Sequence, residues 1–236
     1  MAKRPSPSVI ITCEHGGHRI PKSFASWFDG HRALLGTHRG FDFGAAALAR
    51  ELGRAFGSVP HIATTSRLLV DLNRSLAHRA LFSELTRPLP AAVRERILSE
   101  HYHPYRQRVR RSVGAAIGAG RPVLHLSAHS FTPILGGEVR RADVGLLYDP
   151  TRPLERAYCR RLRELLHDEL PGLLVRRNYP YLGRADGHTT GLRRVFGPSH
   201  YAGVEIEINQ RLFDDARAAA KILKRLSACA RRASLA

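Results

Sequence analysis

The sequence predicts a single α/β domain, a sheet flanked by helices. Three observations carry that expectation. Short β-branched runs alternate along the chain with longer stretches of helical periodicity, the pattern of α/β architectures. Neither an internal repeat nor a low-complexity linker interrupts the 236 residues, a length that one large domain accommodates at roughly 150 residues per domain. Hydrophobic residues make up 43% and charged residues 25%, the balance of a globular chain with a core to bury.

The elements follow in order. Residues 9–13 form a short β-branched run that ends in polar residues and reads as a buried strand. Residues 44–57 read as a helix, with Ala45, Leu48, Leu52 and Phe56 on one face and Gly57 as its stop. Residues 62–72 are rich in strand formers, with Val70 and Leu72 inward. A helical stretch from 91 to 119 contains Pro104, so two pieces or a kink are expected there. Strands are expected at 123–128, 144–148, 173–175 and 203–208. An amphipathic helix spans 153–170, opened by Pro153 and closed by Pro171-Gly172. A terminal helix spans 214–233, acidic in its first turn and basic in its last, which suits the helix dipole. Between them, residues 178–199 form a long, Gly-rich, polar loop of the kind that often carries function.

Charge and cysteine usage narrow the function classes. Lys and Arg total 38 against 20 Asp and Glu, a net charge of +18; four of the basic residues are Lys and the other 34 are Arg. Arginine-based phosphate contacts are one source of such a balance. Here the basic residues scatter along the whole chain, aromatics are only 7%, and none interleave with a basic stretch as a stacking platform requires. A nucleic-acid-binding protein without catalysis is therefore the alternative to an enzyme, not the first reading. No run of about 18 apolar residues exists, so no membrane helix is expected. The opening stretch 1–5 leads into an apolar run too short for a secretory signal, and three cysteines at unrelated spacings make no disulfide framework. A cytoplasmic enzyme is the expectation.

The residues that could carry chemistry lie just after apolar strands, where open α/β sheets bind ligands. Glu14 and His15 stand in Cys13-Glu14-His15-Gly16-Gly17-His18, where two glycines let a ligand approach the backbone closely. His129 ends the strand beginning at Val123. Far apart in sequence, His15 and His129 meet if their strands are neighbours, and two neutral imidazoles with one carboxylate and an open position make a catalytic zinc site. Three side chains compete for the carboxylate or third position. Asp42 lies just before a helix, where capping is its bland role. Glu14 adjoins His15, and neighbours on a strand point to opposite faces. His18 is three positions after His15. Glu205 and Glu207 alternate with β-branched residues and share a sheet face, and a carboxylate on an apolar strand is costly unless paired or functional. Arg67 and the run Asp71-Leu72-Asn73-Arg74 offer a fork for a carboxylate, or a structural ion pair with Asp71.

The order of these pieces is more specific than any one of them. Cys-Glu-His-Gly-Gly-His-Arg-Ile-Pro (13–21), Phe-Asp-Phe-Gly-Ala (41–45), Ser-Arg-Leu-Leu-Val-Asp-Leu-Asn-Arg (66–74), His-Pro-Tyr-Arg (103–106), Ala-His-Ser-Phe (128–131), Asn-Tyr-Pro-Tyr-Leu-Gly (178–183) and Glu-Ile-Asn-Gln (207–210) together resemble the N-formylglutamate amidohydrolase family. The resemblance runs from about residue 8 to about 213, with the terminal helix beyond it. It implies a single domain with a mixed, mostly parallel sheet flanked by helices, zinc-carboxypeptidase-like (phosphorylase/hydrolase-like), since the family looks distantly similar to the zinc carboxypeptidases. Those enzymes order an early His, an Asn-Arg pair, a later His and a final strand Glu, matched here by His15, Asn73-Arg74, His129 and Glu207. One departure stands out: the carboxypeptidases' Glu three residues after the first His is His18 here, which favours Asp42 as the third ligand.

The resemblance implies hydrolysis of the amide of N-formyl-L-glutamate to formate and glutamate. His15, Asp42 and His129 hold a divalent metal, expected to be Zn²⁺, and Glu207 is the general base. Arg67, Asn73 and Arg74 bind the carboxylate of a small anionic N-acyl amino acid, with Arg184, Arg193 or Arg194 of the long loop as candidates for a further clamp. A rival is a cysteine hydrolase using Cys13 with His15. Residues two apart on a strand are about 6–7 Å apart, too far for direct proton transfer.

Overall fold

The computed structural model describes residues 7–234; the opening stretch 1–5 read above lies outside them. A six-stranded sheet organises the chain, in the order β2-β1-β3-β8-β6-β7. Its strands are β1 (Ser8–Cys13), β2 (His61–Ile62), β3 (Val123–Phe131), β6 (Val144–Leu147), β7 (Val175–Arg177) and β8 (Tyr201–Asn209). The first four in spatial order run parallel, β6 runs antiparallel to β8, and β7 runs parallel to β6. The sheet is mixed and mostly parallel, as expected. A separate two-stranded hairpin, β4 (Ile134–Leu135) and β5 (Glu138–Val139), projects beyond β3.

Side-chain alternation along β3 and β8 divides the molecule into an apolar and a polar half. Leu124, Leu126 and Ala128 of β3, with Ala202, Val204, Ile206 and Ile208 of β8, face one way. There they pack with α2 (Ala45–Phe56), α5 (Pro153–Glu169) and α7 (Ala216–Ser234). The intervening residues His125, Ser127, His129, Glu205 and Glu207 face the other way and are also buried. That side is covered by α3 (Ala91–Ile97) and α4 (His103–Gly118), whose apolar residues form a second cluster with Phe24, Phe28 and the segment Leu68–Val70. The polar strip thus lies under a second layer of protein.

Several boundaries differ from the sequence reading. The apolar run 62–72 is not a strand: only His61–Ile62 pair with β1. Beyond them the backbone bonds to other loops, through Ser66 N to Arg19 O, Arg67 N to Gly40 O and Asp71 N to Leu81 O, so its apolar residues are buried as loop. The interruption foreseen at Pro104 is a π turn, Leu98–Tyr102, that joins α3 to α4. Pro104 falls in the first turn of α4, where a missing N–H is tolerated. β3 continues to Phe131, which places His129 within a strand and directly opposite Glu207. The strand expected at 173–175 lies at Val175–Arg177. Asp215 opens α7 by accepting from the backbone N–H groups of Arg217 and Ala218.

The long loop 178–199 carries a short helix, α6 (His188–Arg193), fixed by a buried ion pair. Arg193 Nε donates to Glu155 Oε1 at 2.9 Å, the same oxygen accepts from Gly203 N, and Arg193 Nη2 donates to Gly203 O at 2.7 Å. Arg193 is thereby committed to structure and withdrawn from the substrate clamps. Truncating one partner of a buried pair strands the other charge, at a cost of about 3–5 kcal/mol. Glu155→Ala is expected to lose stability on that scale in urea unfolding; a midpoint equal to the parent's would show that the pair does not hold α6.

Candidate active site

The site forms where β1 and β3 end and β8 passes between them and β6. β1 stops at Cys13, and Glu14 and His15 belong to the turn that follows. The turn frees them from strand alternation, so both side chains enter the same buried pocket. Glycines follow because the turn is pressed on its neighbour: a Cβ at Gly17 would lie 2.8 Å from Thr64 O.

His15, Asp42 and His129 converge. Each offers a ligand atom within 4.8 Å of the others, and all three are buried. His15 Nδ1 lies 3.3 Å and His129 Nδ1 2.9 Å from the same oxygen, Asp42 Oδ2. Asp42 is not a helix cap, since the N-terminus of α2 receives no side-chain cap. His18 stays outside, exposed, with its ring on Phe41. Glu14 enters from another side, with Oε2 3.3 Å from His129 Nε2.

Each imidazole has a carboxylate behind it. His15 Nε2 lies 2.7 Å from Asp71 Oδ1, while Glu14 is at ion-pair distance from His129 Nε2, which makes no hydrogen bond. A carboxylate on the outer ring nitrogen fixes the tautomer and aims the inner one, as in metal-bound histidines. Glu14 is itself held by Ser127 Oγ at 2.6 Å, His188 Nδ1 at 2.9 Å and Tyr105 OH at 3.2 Å. Arg67 spans the other side, with Nη1 3.2 Å from Asp42 Oδ1 and Nη2 2.8 Å from Asp71 Oδ2. Burial opposes charge on these carboxylates. Arg67 and His15 nonetheless hold Asp71 well below the usual range, and His129 and His188 do the same for Glu14. Against the same burial, Asp42 and Glu14 hold His129 well above its ordinary value. Two imidazoles and a carboxylate with ligand atoms this close form a donor set compatible with a divalent cation.

Glu207 differs from the rest. Its Oε2 is buried with no hydrogen-bond partner. Burial, and then the Asp42 and Glu205 carboxylates, push its pKa up to about 7 against the pull of His129. Its companion Glu205 is occupied, accepting from Thr189 Oγ1 at 2.6 Å.

The Asp71–Arg74 segment is a turn rather than a strand. Asp71 accepts from Asn73 N at 2.9 Å, and Asn73 Oδ1 accepts from His188 N at 2.7 Å. Arg74 Nη1 donates to Asp186 O at 2.8 Å, while its buried Nε has no partner. Cys13 lies on the opposite face, in the apolar cluster with Ile11. Burial, then Glu14, push its thiol pKa up, which removes the thiolate a cysteine hydrolase requires. Glu14 as a hub, Asp71 as a histidine partner, and Tyr105, Ser127 and His188 were not read from sequence as site residues, although Ser127 shares β3 with His129, Tyr105 lies in the 103–106 motif and His188 in the long loop.

The model of the N-formylglutamate amidohydrolase family matches residues 7–213. The chain belongs to the N-formylglutamate amidohydrolase family. It is accordingly a hydrolase of linear amides, which sets aside the non-catalytic nucleic-acid reading. Among solved structures, a gene product of Agrobacterium tumefaciens is 30% identical, with a TM-score of 0.81 over 95% of this chain and 89% of its own. An N-formylglutamate amidohydrolase from Ralstonia eutropha is 21% identical, with a TM-score of 0.67 over 99% of this chain and 94% of its own, and shares the fold. A metallo-carboxypeptidase from Burkholderia cenocepacia reaches a TM-score of only 0.41, too slight to bear on fold or function. No protein of curated function matches in sequence. No helix among the described residues is long and apolar enough to cross a membrane.

Deeper in the strip, His125 bonds Thr12 Oγ1 at 2.8 Å and Tyr201 OH at 2.6 Å. Burial, then neighbouring His188, push its pKa down to about 3. Below pH about 6.5 the unfolded chain protonates this residue, while the folded chain does not until about pH 3. The stability that neutral His125 contributes is complete above pH 6.5 and lost as pH falls, by about 1.4 kcal/mol per unit. His125→Asn is expected to flatten the stability profile between pH 6 and 4 by about that slope, read by urea unfolding; an unchanged slope would show that His125 is not held neutral.

Proposed function

We propose that this amidohydrolase is metal-dependent and cleaves an N-acylated acidic amino acid, with N-formyl-L-glutamate as the leading substrate, to formate and glutamate. The reading rests above all on the convergence of His15, His129 and Asp42 beside the unpartnered Glu207 Oε2. Two imidazole nitrogens and a carboxylate oxygen are the donor set of a catalytic zinc site, and the carboxylates on both outer ring nitrogens suit that role. A divalent ion bound there, zinc by this donor set, supplies a Lewis acid that lowers the pKa of water and polarises the scissile carbonyl.

The remaining steps belong to side chains. Glu207 orients the attacking water, takes its proton at Oε2 and returns it to the departing amine nitrogen. A pKa near neutrality suits both transfers. His129 faces Glu207 across the strand pair, so ligand and base are set by one register. Arg67 keeps about a quarter of its side chain exposed (27%) while holding Asp42 and Asp71, and its positive charge favours the oxyanion that develops on the carbonyl. Arg74 and Asn73 are assigned to the substrate's α-carboxylate, Arg74 Nε being a donor that the protein leaves without a partner. Burial of the site excludes bulk water and strengthens each of these interactions.

Purified protein is expected to contain a divalent metal, and chelation is expected to abolish N-formylglutamate hydrolysis, with zinc restoring it; chelator-resistant turnover would end the metal-dependent reading. Glu207→Gln is expected to keep the metal and lose about 10²–10⁴ in kcat, so near-parental turnover would remove Glu207 as base. Arg74→Ala is expected to raise KM with metal content unchanged. Asp71→Asn is expected to weaken metal affinity about 10–100-fold, measured by chelator competition.

A further inference from the structure

We infer that Arg140 and Tyr181 form a carboxylate subsite at the mouth of the site, which reads the acidic side chain of the substrate. The inference rests on the proposed function and adds a specificity element to it.

Arg140 leaves the β4–β5 hairpin, and its backbone is fixed relative to the base. Its carbonyl accepts from Nδ2 of buried Asn209 at 2.9 Å, and Asn209 lies two residues beyond Glu207 on the same strand face. The guanidinium is 6.0 Å from the Phe131 ring and 5.2 Å from the Tyr181 ring, and Phe131 stands two residues beyond His129 on β3. Arg140 Nη1 donates to Tyr181 OH at 3.1 Å. Among the described residues no carboxylate lies within ion-pair distance of it, whereas Arg67 is paired with Asp42 and Asp71, and Arg193 with Glu155. Arg140 is a cation held in orientation but not neutralised.

Tyr181 comes from the loop that follows β7. Its loop presses on the sheet beside Glu207: a Cβ at Gly145 would lie 1.9 Å from Tyr179 O and 3.2 Å from Glu207 Cβ. The Tyr181 phenol is also within electrostatic reach of Arg67, which touches Asp42. Tyr181 is thus bonded to Arg140 on one side and near enough to Arg67 to sense its charge, with 46% of its surface open to solvent. A phenol oxygen that accepts from Arg140 keeps its own proton to donate. Together the pair presents guanidinium N–H groups and one O–H, with no competing acceptor charge. A carboxylate, which only accepts, is the complement of such a set. The aromatic rings hold the fork in place before a ligand arrives, which lowers the ordering cost of binding.

The test compares N-formylglutamate with N-formylglutamine, which has the same length and a neutral side chain. Arg140→Gln is expected to raise KM for N-formylglutamate at least about tenfold, with kcat retained and N-formylglutamine kinetics unchanged. Tyr181→Phe, which removes only the hydroxyl, is expected to move the same ratio in the same direction by less. Equal losses on both substrates, or no loss on N-formylglutamate, would overturn the subsite. Calorimetric binding of glutarate to parent and Arg140→Gln protein separates this idea from the proposed reaction, because it needs no turnover. If the parent hydrolyses neither compound, the proposed function fails; weaker glutarate binding in the variant would still support the subsite, and equal binding would refute it.

Discussion

One carboxylate oxygen, Asp42 Oδ2, joins three distant parts of this chain. It receives His15 from the turn after β1 and His129 from the middle of β3, while the other oxygen of Asp42 holds Arg67. None of these residues is near another in sequence. Their meeting requires β1 and β3 to pair in parallel, α2 to begin directly after Asp42, and the 62–72 segment to fold back as loop. The sheet order and the loop path are thus both read out at a single buried atom.

Such a meeting is expensive to assemble. Isolated buried carboxylates are strongly disfavoured, and burial is tolerated where opposite charges and hydrogen bonds replace water. The molecule meets this condition by interleaving. Arg67 lies between Asp42 and Asp71, His15 between the same two acids, and Glu14 collects a serine, a tyrosine and two histidines. Glu207 is the member left without a partner, and the residue facing it across the ladder is a member of the cluster. The net charge of +18 has little to do with this local balance, which is acidic.

The β-branched runs and helical faces made the α/β architecture legible, and strand ends followed by His15 and His129 gave the site its location. Glu205 and Glu207 stood out together because carboxylates on an apolar strand are costly, and the family resemblance, not the strand pattern, singled out Glu207. What could not be read depended on single-residue geometry. Glu14 ranked below its neighbours on strand alternation, yet β1 stops one residue before it and alternation no longer applies. Asp71 falls in a segment rich in strand formers whose apolar residues are in fact buried as loop. His188, Tyr105 and Ser127 reach Glu14 from 91 to 174 positions away, through packing that no local pattern encodes.

The bare α-carbon at position 145 ties selectivity to chemistry. Because Tyr179 O sits directly on that glycine and the glycine abuts Glu207, the wall that carries Tyr181 has no slack to be rebuilt alone. A bulkier or displaced wall would disturb Glu207, the proposed proton acceptor, with it. Changes of diet are therefore easier from the hairpin side, where Arg140 can be exchanged while the floor beneath the base stays still.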